Sequence, residues 1–145
     1  MRVLLTADTI GGVWDYACTL ARSLDEDGHD VLLAVLGEVG ERQRQVPAGV
    51  EVAARPFRLE WMPDSDEDVV ASTAWLERIA RLWRPDVVQL NQFSAGLGSF
   101  DAPTVLVAHS DVLSWFSEAR GAAAGPEWWR YAERVRTSLH RVTSV

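Results

Sequence analysis

Three residue pairs carry the chemical interest of this 145-residue chain: Gly11-Gly12, Asn91-Gln92 and His109-Ser110. The glycine pair follows the apolar run Arg2-Val-Leu-Leu-Thr-Ala-Asp8 and precedes a helix-like run from Trp14 to Asp27. A buried strand that passes through a glycine turn directly into a helix leaves backbone N–H groups and a helix N-terminus free to approach an anion, typically a phosphate. A tight turn without a ligand is the plain alternative. The pattern is not Gly-x-Gly-x-x-Gly, so it supports a nicotinamide dinucleotide site only weakly. Asp8, Asp15 and Asp111 stand near these pairs in sequence; Asp111 either faces a site or caps the helix it precedes. His29 reads as a turn residue and His140 as a dipole partner at a helix C-terminus. Cys18 lies beside an apolar stripe and reads as a small buried residue.

Composition excludes several classes. All 14 basic residues are arginine. Without a lysine, a Walker A phosphate loop, a Schiff-base site for pyridoxal phosphate and a receiver-type acidic pocket each lose a required group. The net charge of −7 argues against nucleic acid or an anionic membrane as partner. No apolar run approaches the ~20 residues of a membrane span. Val3 to Leu5 is too short for a signal peptide and reads as a strand. The single cysteine permits no internal disulfide and suits a reducing, cytoplasmic setting.

The elements that must position the three pairs alternate between strand-like and helical patterns. Strands are expected at Val3–Ala7, His29–Leu36, Val50–Ala54, Asp86–Gln92 and Pro103–His109, with Val142–Val145 opening a sixth. The first helix has apolar residues at Val13, Ala17, Leu20, Ala21 and Leu24 and ends at Gly28. A second, capped by Asp66 or Asp68, runs through Arg84 with Val69, Val70, Thr73, Leu76, Ile79, Ala80 and Trp83 on one face. A short helix covers Asp111 to Arg120. A last one begins at Pro126 and buries Trp128, Ala132, Val135, Leu139 and Val142. Gly37 to Pro47 is a loop or short exposed helix.

This alternation implies an α/β protein: a Rossmann-like three-layer sandwich whose parallel sheet has the order 3-2-1-4-5-6. The near-continuous apolarity of the second strand fits burial on both faces. Ligands in such folds bind beyond the carboxyl ends of the strands, where the strand order reverses. Gly11-Gly12, Asn91-Gln92 and His109-Ser110 all fall there, from three distant parts of the chain.

Arg2-Val-Leu-Leu-Thr-Ala-Asp-Thr-Ile-Gly-Gly-Val-Trp-Asp-Tyr-Ala17, Leu20-Ala-Arg-Ser-Leu24, Gly28-His-Asp-Val31, Arg84-Pro-Asp-Val-Val88 and Val107-Ala-His-Ser110 together resemble the N-terminal domain of family 4 glycosyltransferases. The resemblance runs the length of the chain. It implies the N-terminal half of a GT-B fold, two Rossmann-like domains facing across a cleft. It also implies a retaining transfer from a nucleotide-sugar to an acceptor hydroxyl, with the nucleotide-sugar as substrate and no metal or other cofactor. Gly11 and Gly12 are then expected to meet the donor diphosphate and sugar, and His109 to act beside the transferred sugar. Trp14, Asp15, Asn91, Gln92, Ser110 and Asp111 are expected on the acceptor side. The family's donor-binding domain, with its Glu-x7-Glu pair, is expected beyond Val145 or on a partner chain, leaving the 145 residues inactive alone.

Two further readings stay open at this point. One is a non-catalytic Rossmann-like nucleotide-binding module or a subunit of a split transferase; the other, weaker, is a dehydrogenase-type domain. Of the seven tryptophans, Trp75 and Trp83 fit helix packing. Trp61, Trp115, Trp128 and Trp129 fit sugar stacking, core packing or an apolar patch equally. The acidic run from Glu60 to Asp68 reads as a solvated loop without metal-ligand geometry.

Overall fold

The computed structural model describes residues 1–145, the side chain of Gln43 excepted. Five strands form one parallel sheet: β1 (Arg2–Asp8), β2 (Asp30–Leu36), β3 (Glu51–Arg55), β4 (Val87–Leu90) and β5 (Thr104–Leu106), in the order β3-β2-β1-β4-β5. The central pair, β1 and β2, aligns Arg2 with Asp30 through Asp8 with Leu36. Successive side chains of a strand leave opposite faces, and the core divides accordingly. Leu4, Leu32, Ala34, Val88 and Leu90 pack on one face against Leu76 and Ala80. Leu5, Ala7, Val31, Leu33 and Val35 pack on the other against Trp14, Ala17, Cys18 and Ala21. Each fully buried aliphatic side chain contributes about 1.5–3 kcal/mol, so the doubly covered strands anchor the fold.

The helices are α1 (Gly12–Glu26), α2 (Asp66–Trp83), α3 (Val112–Arg120) and α4 (Trp129–Arg141), with short 3₁₀ turns at Gly40–Gln45, Phe93–Leu97 and Pro126–Trp128. The Trp14, Ala17, Cys18, Ala21 stripe of α1 is at i, i+3, i+4, i+7 and faces the sheet. Trp75, Ile79, Trp83 and Val135 are half-buried around the core on the α2 side. Helices therefore cover both faces, giving the α/β/α sandwich.

Several local expectations change. The sixth strand is reduced to one parallel bridge between Val105 and Ser144. The backbone there still bonds to β5, Leu106 N–H to the Ser144 carbonyl and Thr143 N–H to the Thr104 carbonyl. β5 itself keeps only Thr104–Leu106. Val70 is 70% exposed, because Ser72 takes the buried place on that turn of α2. Asp66 is the first residue of α2 instead of its cap; Ser65 precedes it with no side-chain capping bond. Asp66 instead binds Arg130 and Arg134 of α4. In α4 the buried positions are Tyr131 and Ser138, and Leu139 is exposed, so the inward face is rotated from the apolar residues toward the segment Phe93–Leu97. The close approach of α4 favours glycine at 96, where a Cβ would lie 2.9 Å from the Ser138 Cβ.

Candidate functional site

A cleft of about 370 Å³ opens beyond the carboxyl ends of β1, β4 and β5 and is lined by Asp8, Gly11, Gly12, Asn91, Gln92, His109 and Ser110, among others. The three pairs singled out from sequence thus converge on one cavity. Each follows its strand end, which is where a parallel sheet turns its loops toward a ligand. A larger cavity of about 620 Å³ lies near the amino ends of β4 and β5, lined by Arg84, Pro85, Asp101 and Ala102 among others. It gathers none of these pairs.

The two glycines of the turn do different things. Gly11 has φ +65° and ψ −152°, a region that is essentially glycine's alone. Gly12 begins α1, and a Cβ there would meet nothing within 4 Å. The protein's own packing therefore does not require glycine at 12; it leaves open space beside the first turn. Gly11 makes no side-chain cap, so the first-turn N–H groups of α1 keep the donor capacity of a helix N-terminus.

His109 is exposed but held. Its Nε2 lies 2.8 Å from Asn91 Oδ1. The Asn91 amide is oriented by its own Nδ2, which donates to the Thr6 carbonyl at 2.6 Å. Gln89 Nε2 also donates to Asn91 Oδ1, at 3.0 Å, and Asn91 N–H donates to Thr6 Oγ1 at 2.9 Å. Asn91 Oδ1 can only accept, so His109 Nε2 carries the proton. The Tyr16 ring meets the imidazole edge-on, with centroids 4.8 Å apart.

The floor of the cleft holds two buried carboxyls. Asp8 accepts from Ile10 N–H at 2.8 Å and from Gln92 Nε2 at 3.1 Å. Burial raises its pKa above the ordinary range, against the opposing pull of those hydrogen bonds and of His109. Glu60 accepts from the backbone N–H of Phe93 at 3.0 Å and from that of Ser94. Burial raises its pKa as well, again against those hydrogen bonds. Tyr131, which also lines the cleft, is raised by its own burial and then by Glu60. Gln92 Oε1 is buried with no partner among the described residues.

Of the expected site residues, Trp14 and Asp15 lie outside the cleft lining, while Asn91 and Asp111 line it and are also bonded within the protein. Trp14 is fully buried; its indole packs between α1 and the sheet and its Nε1 donates to Gln45, so it cannot touch an acceptor. Asp15 is exposed and lies outside the cleft lining. Asp111 caps α3: Oδ1 accepts from Leu113 and Ser114 N–H, and Oδ2 from Ser114 Oγ, though it still borders the cleft. Asn91 lines the cleft with its Nδ2 bonded to the Thr6 carbonyl and its Oδ1 shared by Gln89 and His109, so it orients His109. The acidic run is no solvated loop throughout, since Glu60 is buried. Its signal was invisible in sequence because its hydrogen-bond partners lie 33 and 34 residues away. Trp61 and Trp115 border the cleft while 41% and 49% exposed; Trp128 lines a neighbouring groove and Trp129 is 58% exposed. Among the described residues, no group of three or more His, Cys, Asp or Glu is placed to hold a metal ion, and no helix is long and apolar enough to cross a membrane.

A parallel sheet of this order, with its cleft at the reversal between β1 and β4, defines an α/β protein of the Rossmann-like kind. The family description Glycosyltransferase Family 4 matches residues 10–145, and the chain belongs to that family. No curated protein matches it by sequence. Among solved structures it is similar to MurG of Acinetobacter baumannii (TM-score 0.58, 15% identity, covering 72% of this chain and 34% of that one). It is also similar to the calicheamicin glycosyltransferase CalG4 (TM-score 0.54, 15% identity, 97% and 42% covered). A third is the glycosyltransferase VinC in complex with dTDP (TM-score 0.50, 18% identity, 97% and 39% covered). These neighbours share the GT-B fold, and the chain spans between a third and about two fifths of their length.

Proposed function

We propose that this chain is the acceptor-side domain of a retaining glycosyltransferase that moves a hexosyl unit from a nucleotide-sugar to an acceptor hydroxyl. One observation carries the reading. The cleft gathers Gly11-Gly12, Gln92 and His109 at the sheet's switch point, yet no arginine lines it among the described residues. A diphosphate needs positive counter-charge, so that charge is assigned to a second domain facing this wall. What this wall supplies is close backbone approach at Gly11-Gly12 and polar groups for the reacting sugar and acceptor. The nucleotide named with VinC is of the donor type this reading assigns.

Catalysis in this reading is positioning and charge stabilisation. Asn91 fixes the imidazole of His109 so that Nδ1 receives a hydrogen bond from a sugar hydroxyl and steadies charge developing in the transfer. The first-turn N–H groups of α1 sit beside the leaving diphosphate.

The test has two arms. Nucleotide-hexoses are incubated with the 145-residue chain alone, and then with the longest natural polypeptide that contains it. The isolated chain is expected to bind nucleotide-sugar weakly and turn over none. The longer polypeptide is expected to transfer sugar, with His109→Ala lowering kcat/KM by about 10²-fold. Robust turnover by the 145 residues alone defeats the acceptor-side assignment.

A further inference from the structure

We infer that Tyr16 is a positioning residue for the transfer: its ring holds the His109 imidazole against α1 and so fixes it relative to the glycine turn. The inference deepens the acceptor-side reading and rests on it. His109 lies beyond Leu106, the last residue of β5, and is exposed, so its ring is fixed by what touches it. The hydrogen bond from Nε2 to Asn91 Oδ1, at 2.8 Å, holds one atom of the ring. Hydrogen bonds at carbonyl oxygens tolerate a broad spread of directions, so that bond alone does not set the ring plane. Tyr16 supplies the second contact. Its ring centroid is 4.8 Å from that of the imidazole, with 73° between the planes, an edge-to-face geometry that aromatic pairs favour.

Two observations separate this contact from ordinary helix packing. Tyr16 is 38% exposed, whereas Trp14, Ala17 and Cys18 beside it on α1 are buried; its ring is not part of the core that holds the helix. Tyr16 also lies outside the cleft lining, while His109 belongs to it, so Tyr16 acts through the imidazole. Both supports of His109 lead back to one strand–turn–helix unit. Asn91 is tied to Thr6 by its backbone N–H and by its Nδ2, and Thr6 is on β1, the strand that enters the glycine turn. Tyr16 is on α1, the helix that leaves it, one turn after Gly12 and on the same face. The imidazole is thus held to the element whose first-turn N–H groups are assigned to the diphosphate. In group transfer a misplacement of ~1 Å can cost ~10²-fold in rate, which gives the second support its function.

The experiment compares Tyr16→Ala, Tyr16→Phe, His109→Ala and the double variant Tyr16→Ala/His109→Ala. Alanine suits a helix and the Tyr16 ring is partly exposed, so all four are expected to fold. In the 145-residue chain, a long-range proton–nitrogen correlation spectrum is recorded at about pH 8, where an ordinary imidazole is neutral. It is expected to place the His109 proton on Nε2 in the wild type and in Tyr16→Phe. In Tyr16→Ala both ring nitrogens move toward the averaged shifts of a freely exchanging imidazole. In the longest natural polypeptide that contains the chain, Tyr16→Ala is expected to lower kcat about fivefold and to leave KM for the nucleotide-sugar nearly unchanged. Tyr16→Phe restores kcat, and on the His109→Ala background Tyr16→Ala adds no further loss. Unchanged nitrogen shifts in Tyr16→Ala, additive losses in the double variant, or a Tyr16→Phe as impaired as Tyr16→Ala each overturn the inference. The spectrum involves no transfer. A longer polypeptide that transfers no hexose therefore refutes the transferase reading, while the spectrum still decides whether Tyr16 holds the imidazole.

Discussion

Helices α1 and α3 both border the cleft, and they are held in opposite ways. α1 buries Trp14, Ala17, Cys18 and Ala21 against the sheet. α3 buries no residue; it is fixed by the Asp111 cap at one end and by Gly121, at φ +61°, at the other. Burial makes the α1 wall part of the core, so its glycine turn has one position. The α3 wall depends on local hydrogen bonds and on the contacts of Phe116 with Trp115 and Trp128. Segments with few buried contacts open locally at low free energy. The α1 wall of the cleft is thus anchored by the core, and the α3 wall by its caps and surface contacts.

The largest expected contrast is between two tryptophans. Trp14→Ala should cost about 3–5 kcal/mol, since it leaves a cavity in the core. Trp115→Ala should leave global stability within about 0.5 kcal/mol. Urea unfolding of both variants checks this; comparable losses would erase the distinction between the walls.

Next comes the glycine pair. Gly11→Ala should cost about 1–3 kcal/mol because of its backbone conformation. Gly12→Ala should keep or slightly raise stability through helix propensity, while weakening nucleotide-sugar binding in the longer polypeptide. Thermal unfolding and donor titration of the pair separate conformational need from ligand approach. If Gly12→Ala binds donor normally, the open space beside α1 has no role in the site.

Asp111→Ala should cost about 1 kcal/mol through loss of its cap, felt chiefly within α3. Amide hydrogen exchange should then speed up across Val112–Arg120 and stay unchanged in α1. Uniform acceleration would mean that α3 is coupled to the core after all.

The smallest effect is on pH dependence. Asp8 and Glu60 have folded-state pKa values raised, chiefly by burial, from ordinary values of 3.8 and 4.5. In the window from those values upward the folded state binds more protons than the unfolded state, so stability falls as pH rises. Asp66 is shifted the other way, chiefly by its hydrogen bond to Arg134, and its contribution fades only below the ordinary aspartate range. Denaturation midpoints should therefore decline from about pH 5 toward neutrality. The decline should flatten in Asp8→Asn; a slope unchanged by that substitution would remove Asp8 as its source.

Much of the frame was legible because strands buried on both faces must be apolar throughout. Val31 to Leu36 could hardly be anything else, and the α1 stripe has only one face to bury. The switch-point cleft followed from the alternation of elements, and with it the placing of Gly11-Gly12, Asn91-Gln92 and His109-Ser110. What failed was the direction in which individual side chains point. Trp14 sits directly after the glycine turn and looked like a ligand contact; helical phase turns it into the core. Val70 looked buried and Glu60 looked solvated, because period alone does not say which neighbour competes for the interior.

The order and type of the elements, the glycine turn and the absence of lysine were set by the sequence itself. Local backbone preference and apolar periodicity are properties of neighbouring residues. Tertiary structure alone decided that Asn91 orients His109 and that Glu60 receives the amides of Phe93 and Ser94. It also decided that Gln92 Oε1 is buried with no partner among the described residues and that Asp8, Glu60 and Asp111 border one cleft. Those facts depend on groups brought together from distant parts of the chain, where burial makes each hydrogen bond and each charge count.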